Sequence, residues 1–303
     1  MNSIKKMMLS GALGCLISGM AYADGSSPQP VKPYWQDIQV VAVNKEKPRS
    51  SFMSYADRET ALTSRFEKSP YYSLLNGTWK FFFVDSYKDL PQNITDPSVN
   101  TSSWDDITVP GNWEVQGHGV AIYTNHGYEF KPRNPQPPLL PEANPVGVYR
   151  RDIEIPASWD NRDIYLHIGG AKSGLYVYLN GKEVGYSEDS KNPAEFLINK
   201  YLQPGKNVLT LKIFRWSTGS YLECQDFWRM SGIERDVFLW SQPKASIQDF
   251  RVVSTLDDTY TNGIFKLAVD LKNHTQETKN LNVGYELLDA KGNLMTSEAN
   301  DIW

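Results

Sequence analysis

Cysteine and histidine are both scarce in this chain of 303 residues. It holds two cysteines, Cys15 and Cys224, and four histidines. Cys15 lies in a segment that we expect to be removed, which would leave Cys224 unpaired and exclude an intrachain disulfide. We interpret His118 and His126 as loop residues that form hydrogen bonds. The histidines show no zinc-ligand spacing, standing at positions His118, His126, His167 and His274.

Long apolar runs and an excess of positive charge are also missing. Beyond residue 23 no stretch approaches the ~20 apolar residues of a membrane-spanning helix. The formal charge is −4, and without Lys5 and Lys6 it becomes −6, with 29 basic residues against 35 acidic ones. This balance argues against a nucleic-acid partner. The 40% of hydrophobic residues allows a sizeable core and excludes a disordered chain.

Residues 1–23 have the pattern of a signal peptide. Lys5 and Lys6 form a charged start, residues 7–20 are apolar or small, and residues 21–23 read Ala-Tyr-Ala, which fits a cleavage site. We therefore expect the mature chain to begin at Asp24 and to be exported, with the periplasm as its compartment. A competing interpretation places a lipid anchor at Cys15, but the apolar stretch before it is short.

After the signal, the sequence predicts an arm and then a series of short strands. Residues 24–70 form the predicted extended arm, with a short helix within residues 55–69 that ends before Pro70. Residues 79–84 suit a buried strand, and Asn180-Gly181 is a strong hairpin signal. Repeated strands at turn spacing predict an all-β fold with a jelly-roll (galactose-binding-like) β-sandwich over residues 71–242. Further strands are predicted at residues 153–155, 164–168, 175–179, 183–187 and 209–213.

Residues 243–303 predict the start of a second β-sandwich. Apolar positions fall near residues 247–252, 264–271 and 283–288, which gives about three strands. An immunoglobulin-like sandwich needs about seven strands in ~100 residues. We therefore expect a truncated, immunoglobulin-like β-sandwich in which the chain stops partway.

Residues 214–237 concentrate five aromatic, three arginine and four acidic residues. Apolar C–H faces of a sugar pack on aromatic rings and its hydroxyls need fixed acceptors, so this composition is typical of a sugar-binding surface. The alternative is that the aromatics belong to the core and the charges form salt bridges at its rim. Spacing alone leaves both interpretations open for Trp216, Tyr221, Phe227 and Trp228.

Glu188 and Asp189 could be imagined as a paired acid. Adjacent residues of a strand point to opposite faces, so the two cannot act together without a turn. We interpret them as a solvated turn.

Several stretches, in order along the chain, carry a family resemblance. The chain resembles the amino-terminal third of a family 2 glycoside hydrolase, and within that family it is similar to the bacterial β-galactosidases. The resemblance covers most of residues 34–253. Its matching stretches are Leu-Asn-Gly-Thr-Trp-Lys-Phe (75–81), Val-Pro-Gly-Asn-Trp (109–113), Ile-Tyr-Thr-Asn (122–125), Glu-Ala-Asn-Pro-Val-Gly-Val-Tyr-Arg-Arg (142–151), Gly-Tyr-Ser-Glu-Asp-Ser (185–190) and Gln-Asp-Phe-Trp-Arg-Met-Ser-Gly-Ile (225–233).

The resemblance implies a sugar-binding jelly roll, then an immunoglobulin-like domain, then a barrel that carries two catalytic glutamates. One of these glutamates directly follows an asparagine in the family, and no Asn-Glu dipeptide occurs in the 303 residues. We therefore expect no catalytic residue here, an inactive chain in isolation, and magnesium only in the missing barrel. A galactoside is the implied substrate, and the family leaves a homo-oligomer of the full-length parent open.

Two positions take individual roles from the resemblance. Asn125 matches an asparagine of the galactosyl subsite, and Asp226 matches an aspartate that binds the sugar and ligates sodium. Without the resemblance, Asn125 reads as a turn residue and Asp226 as a salt-bridge partner of Arg229 or Arg235.

Thr218 and Cys224 stand where related enzymes often have acidic residues, which puts an additional cation site at Thr218 in doubt. We expect Cys224 to be a buried, inert thiol.

Other functions remain open at this stage. The chain could act alone as a lectin-like module, it could belong to a β-glucuronidase or β-mannosidase relative, or it could serve subunit assembly. Incomplete polar pairing in half a subsite argues for weak binding by the isolated chain.

Overall fold

The computed structural model describes residues 32–130 and 134–302, so the predicted signal peptide lies outside the described residues. The described part is nearly all β-structure. Up to residue 243 its strands are β1 (Ala42–Val43), β2 (Tyr72–Leu74), β3 (Gly77–Val84), β4 (Asp105–Val109), β5 (Gly111–Asn112), β6 (Ile122–Thr124), β7 (Val146–Glu154), β8 (Arg162–Ile168), β9 (Ala171–Lys172), β10 (Gly174–Leu179), β11 (Lys182–Ser187), β12 (Ala194–Leu197), β13 (Lys206–Phe214), β14 (Phe227–Arg229), β15 (Gly232–Ile233) and β16 (Val237–Pro243).

Two antiparallel sheets pack face to face. The larger has the strand order β1-β11-β10-β13-β7-β3-β4 and the smaller the order β12-β8-β16-β2. Trp79 and Phe81 of the larger sheet meet Leu166 and Leu239 of the smaller one in a shared core, and all four side chains are at most 1% exposed. Burial of such apolar faces is the main favourable term in folding, and the prediction of an all-β fold with a β-sandwich is confirmed.

The apolar run at residues 79–84 reflects burial on both faces of the larger sheet. Alternate residues of a strand point to opposite faces, so Trp79 and Phe81 enter the core between the sheets. Phe82 packs on the outer face against a second cluster that contains Trp104 and Trp35. Trp35 is 1% exposed, so the predicted arm is packed onto the sheet here.

The predicted hairpin at residues 180–181 is confirmed between β10 and β11. Asn180 and Gly181 have φ angles of 53° and 77°, which is the left-handed conformation that a type I′ turn requires at both central residues. Asn180 also accepts from the backbone N–H of Val208 at 2.9 Å, which joins the hairpin to β13.

The helical content is smaller than predicted. In place of one helix within residues 55–69, the structure has α1 (Arg58–Leu62) and a 3-10 turn at Phe66–Lys68. Asp57 caps α1 by accepting from the backbone N–H of Thr60 at 2.8 Å, as is typical of a helix start. No helix among the described residues is long and apolar enough to cross a membrane. The other 3-10 turns are Tyr34–Gln36, Tyr87–Asp89, Glu114–Gln116, Ala157–Trp159, Asn199–Tyr201 and Thr218–Tyr221.

Residues 245–302 form two antiparallel pairs, β17 with β18 and β19 with β20. The expectation of about three strands was therefore one too low. The nine-residue strand at the end was missed because its sequence is mostly polar and every residue in it is exposed. The immunoglobulin-like assignment and the boundaries at residues 71–242 and 243–303 stay predictions. The four strands are β17 (Ala245–Leu256), β18 (Gly263–Asn273), β19 (Leu281–Leu288) and β20 (Leu294–Ile302).

Candidate functional site

Asn125 and Asp226 are brought together by a two-stranded ladder. β6 pairs antiparallel with β14, with Thr124 opposite Phe227 and Tyr123 opposite Trp228. Asn125 directly follows β6 and Asp226 directly precedes β14, so the two stand at the same end of this ladder. Both are exposed, so two residues 101 positions apart in sequence lie at one exposed end of the ladder. We call this end, with Asn125 and Asp226, the rim.

Each of these side chains is oriented by a neighbour. The hydroxyl of Tyr123 donates to Oδ1 of Asp226 at 2.9 Å, and this hydrogen bond raises the pKa of Tyr123. Nδ1 of His126 lies 2.7 Å from Oδ1 of Asn125. Because an amide oxygen can only accept, His126 donates from Nδ1, which leaves the Asn125 amide nitrogen to donate elsewhere.

The aromatic residues of the 214–237 run divide into two groups. Trp216 and Tyr221 are each 9% exposed and belong to the interior, whereas Phe227 and Trp228 are 58% and 49% exposed. Tyr123 packs edge-on against Trp228 with ring centroids 5.6 Å apart. The core interpretation therefore holds for Trp216 and Tyr221, and the surface interpretation holds for Phe227 and Trp228. The exposed pair forms an aromatic surface that adjoins the Asn125–Asp226 rim.

Buried charged side chains pack against the β6–β14 ladder. Arg229 is 3% exposed, and its Nε lies 3.7 Å from Oε2 of Glu129. Glu129 also accepts from the Trp216 indole at 3.0 Å, while Arg215 donates to the carbonyl of Arg229 at 3.1 Å. Pairing in a buried setting restricts these side chains, so the rim rests on fixed groups.

The structure does not show the salt bridges considered for Asp226. Within the described residues, Arg229 faces Glu129, and Arg235 donates to the carbonyls of Gly169 and Lys191. Tyr123 is the polar partner of Asp226 there, through Oδ1. The second carboxylate oxygen of Asp226 has no hydrogen bond to any described residue, which leaves it to a ligand.

The interpretation of Glu188 as part of a solvated turn is wrong. Glu188 is 3% exposed, while Asp189 is exposed, so the pair does split to opposite sides. Glu188 accepts from the Thr218 hydroxyl at 2.8 Å and from the backbone N–H of Gly219 at 2.6 Å. Burial raises the pKa of this carboxyl. Glu188 thus holds residues 218–219, in the segment that leads toward Asp226, in place.

Thr218 and Cys224 behave differently from each other. The Thr218 hydroxyl is engaged by Glu188. Cys224 is only half-buried, so its predicted burial is wrong in degree, and its thiol donates to the carbonyl of Gly127. Burial raises the pKa of the Cys224 thiol, which disfavours the reactive thiolate.

The donor set at the rim limits which cation it could hold. Among residues 32–130 and 134–302, no group of three His, Cys, Asp or Glu side chains is arranged to hold a metal. At the rim, Asp226 offers one carboxylate. The sodium ion expected at Asp226 therefore stays a prediction.

Sequence reasoning missed Tyr123 and Glu129 as orienting residues, and it did not connect His126 with Asn125. Tyr123 stood inside a recognised stretch, but its bond to Asp226 depends on a strand pairing across about 100 residues that local pattern cannot show. His126 was interpreted as a hydrogen-bonding loop residue, and its contact with Asn125 confirms this. Its adjacency to Asn125 was the available signal.

A two-sheet β-sandwich with an exposed rim of aromatic, amide and carboxylate side chains has the features of a carbohydrate-binding domain. The family model described as "Glycosyl hydrolases family 2, sugar binding domain" matches residues 72–243, which is more than half of the chain. The chain belongs to glycosyl hydrolase family 2, as its sequence predicted.

Curated relatives match the chain over most of its length. It is 39% identical over 262 residues to a protein named beta-galactosidase from Priestia megaterium, covering 85% of this chain and 25% of the relative. It is 36% identical over 257 residues to a beta-galactosidase of Psychromonas ingrahamii, covering 85% and 24%. The chain thus spans about a quarter of the length of these relatives.

Solved structures share the fold. A beta-glucuronidase from Bacteroides uniformis aligns with a TM-score of 0.61 at 21% identity, over 76% of this chain and 26% of that one. A Bifidobacterium dentium beta-glucuronidase aligns with a TM-score of 0.57 at 18% identity, over 77% and 40%. At these identities the likeness establishes the β-sandwich fold alone.

Proposed function

We propose that this chain is the amino-terminal sugar-binding portion of an exported β-galactosidase, and that it supplies part of the galactose subsite. Relatives named beta-galactosidase that are up to 39% identical support the substrate class. The observation that carries the proposal is the β6–β14 pairing, which sets Asn125 and Asp226 side by side.

The free polar atoms of the rim suit a sugar diol. The Asn125 amide nitrogen donates, and the unpaired oxygen of Asp226 accepts. Two neighbouring hydroxyls offer one acceptor and one donor in return. The exposed rings of Tyr123 and Trp228 provide an apolar surface for the C–H groups of the same sugar. These complementary features support hexose binding at the rim.

In this proposal the bond-breaking groups lie in a barrel outside these 303 residues. Hydrolysis with retention needs an acid/base carboxyl and a nucleophilic carboxylate about 5 Å apart. We assign both glutamates, and any magnesium, to that barrel. The role of this chain is then to fix the sugar, with sodium held at Asp226 as a further part of the proposal. Export through the segment at residues 1–23 to the periplasm also belongs to it.

The purified 303-residue chain should not hydrolyse a chromogenic β-galactoside. The product of the gene read beyond codon 303 should do so, because it would add the two barrel glutamates. Absorbance of the released chromophore measures both. Turnover by the isolated chain would contradict the assignment of catalysis to the barrel.

Asp226→Ala should weaken galactose binding by about tenfold or more. A hydrogen bond to a charged group is worth about 1.5–3 kcal/mol, and 1.4 kcal/mol corresponds to a factor of ten. Titration calorimetry with galactose and lactose measures the change. Asp106→Ala is the matched control, because Asp106 is an exposed carboxylate of β4 that pairs with Lys80 at 2.8 Å, away from β6 and β14. Equal affinities of the two variants would remove Asp226 from the subsite.

A stand-alone lectin-like module is the second candidate. Phe227 and Trp228 are about half exposed in this chain, and this aromatic surface supports sugar binding by the 303 residues alone. Tight binding of galactose by the isolated chain, together with a stop codon directly after codon 303, would favour this candidate over an enzyme fragment.

A further inference from the structure

A cavity lies against the outer face of the smaller sheet, the face turned away from the core. It has a volume of about 310 Å³. Its floor includes Glu195, His167 and Phe238, which stand beside one another on β12, β8 and β16. Because Leu166 points into the core, the neighbouring His167 points outward. The floor is thus the outer face of the four-stranded sheet.

The walls of the cavity come from three other segments. Residues 45–52 of the arm form one wall, residues 189–193 form another, and Phe66 adds a third. Neither Asn125 nor Asp226 lines this space. Its volume falls at the lower end of the roughly 300–1,000 Å³ typical of small-molecule sites, which suits one sugar ring better than a long chain.

Aromatic rings supply the apolar part of the lining. His167 stacks on Phe238 with ring centroids 4.2 Å apart and an interplanar angle of 14°. Phe52 and Phe66 add two more rings. Flat apolar surfaces of this kind accommodate the C–H face of a pyranose.

His167 has one ring nitrogen left for a ligand. Its Nδ1 lies 2.8 Å from Oε1 of Glu195, a carboxylate that also accepts from Arg49 at 2.8 Å. An ionised carboxylate can only accept, so Nδ1 carries the proton of this hydrogen bond, and Nε2 is left for a ligand. Nε2 has no recorded partner in the described part of the chain.

Two further lining residues retain hydrogen-bonding capacity. Lys45 donates to the Ser187 hydroxyl at 3.2 Å, which leaves two of its three N–H groups. Asn192 uses its amide nitrogen on Asp189 at 3.0 Å, so its carbonyl oxygen remains. An ammonium donor, an amide acceptor and the Nε2 of an imidazole can pair with several hydroxyls of one ligand, because a hydroxyl both donates and accepts.

The charges around the cavity cancel. Three basic side chains and three acidic ones line it, so their formal charges sum to zero and give no overall preference for an anion or a cation. They are Lys45, Lys47, Arg49, Glu46, Asp189 and Glu195.

We propose that this cavity is a second carbohydrate site, which binds one neutral hexose ring independently of Asn125 and Asp226. The aromatic walls take the apolar face of the ring, and Lys45, Asn192 and His167 pair with its hydroxyls. The site is part of this chain and does not depend on the function proposed for the rim.

The test uses the 303-residue chain carrying Asp226→Ala, which disables the rim. Titration with D-galactose and D-glucose, followed by ¹H–¹⁵N correlation spectra, should shift amide signals of residues 45–52 and 189–193. Adding Lys45→Ala and Asn192→Ala should weaken this binding by about tenfold, because two ligand hydrogen bonds of ~0.5–1.5 kcal/mol each are lost. Glucuronate and glucosamine should bind less well than the neutral sugars.

Lys182→Ala together with Asp226→Ala is the matched control, because Lys182 is an exposed lysine of β11 outside the cavity lining. It should bind as the Asp226→Ala chain does, and thermal melting should show that all variants are folded. If the chain with Lys45→Ala and Asn192→Ala fails to fold, a chain with Asn192→Ala and Asp226→Ala replaces it. The proposal is overturned if no neutral sugar shifts these signals at high millimolar concentration, if a charged sugar binds more tightly, or if the cavity variant matches the control.

Discussion

Glu195→Ala should lower the free energy of unfolding by about 3–5 kcal/mol, since breaking a buried ion pair leaves its partner charge uncompensated. Glu195 is 8% exposed. It pairs with Arg49 at 2.8 Å, and also accepts from His167 at 2.8 Å and from the Trp240 indole at 3.1 Å. Its removal leaves three donors, which lie between the arm and the smaller sheet, without an acceptor. Urea unfolding with linear extrapolation measures the loss.

Glu142→Ala provides the comparison for this variant. Glu142 pairs with Lys88 at 3.0 Å, but its side chain is 89% exposed, and exposed pairs contribute about 0–1 kcal/mol. If both variants lose the same stability, burial is not what makes the Glu195 cluster matter.

The contribution of Glu195 should also depend on pH with a defined sign. Burial alone would raise its pKa, but hydrogen bonds from His167 and Arg49 outweigh burial and hold the pKa below the ordinary glutamate value of 4.5. A carboxyl whose folded pKa is lowered adds stability above its unfolded pKa and loses it as the pH falls through the folded value. The gap between the wild type and Glu195→Ala should therefore narrow in acid.

Local pattern predicted much of the sandwich. The Asn180-Gly181 turn and the alternation on either side of it are properties of neighbouring residues, so the hairpin could be read directly. β20 could not be read, because its exposed, polar sequence lacks the apolar alternation on which strand prediction depends. The helix at residues 55–69 was overestimated because propensity does not fix where a helix ends.

The candidate site was predictable only through resemblance. The ladder of β6 and β14 joins residues about 100 positions apart, and neither three-residue strand has a pattern strong enough to indicate its partner. Glu188 shows the limit of composition: a glutamate beside an aspartate usually marks solvated chain, because charged residues are seldom fully buried. Here three donors in the folded structure satisfy it, and two of them, on Thr218 and Gly219, are brought to it only by tertiary structure.

Glu188→Ala is expected to cost about 2–4 kcal/mol of stability and to weaken sugar binding at the rim. Glu188 accepts from the Tyr186 hydroxyl at 2.7 Å, from Thr218 at 2.8 Å and from the Gly219 backbone at 2.6 Å. A buried donor left without an acceptor costs about 1–3 kcal/mol, and partial relaxation should reduce the sum. Because Gly219 precedes Asp226 by seven residues, its release should also loosen the rim. Urea unfolding and galactose calorimetry measure the two effects.

Glu183→Ala is the matched control five residues earlier in the chain, because Glu183 is exposed and accepts from the Tyr178 hydroxyl at 3.2 Å. It should change neither the stability nor the sugar binding substantially.

The pH dependence of the stability that Glu188 contributes should be opposite to that of Glu195, because Glu188 has neutral donors and burial raises its pKa. Folding therefore disfavours the ionised form of Glu188. The free energy of unfolding should fall as the pH rises from the unfolded pKa of Glu188 through its folded pKa. Glu188→Gln should abolish that decline. A Glu188→Gln chain with the wild-type pH profile would show that Glu188 is not the titrating group, and unchanged stability of Glu188→Ala would show that its three donors find other acceptors.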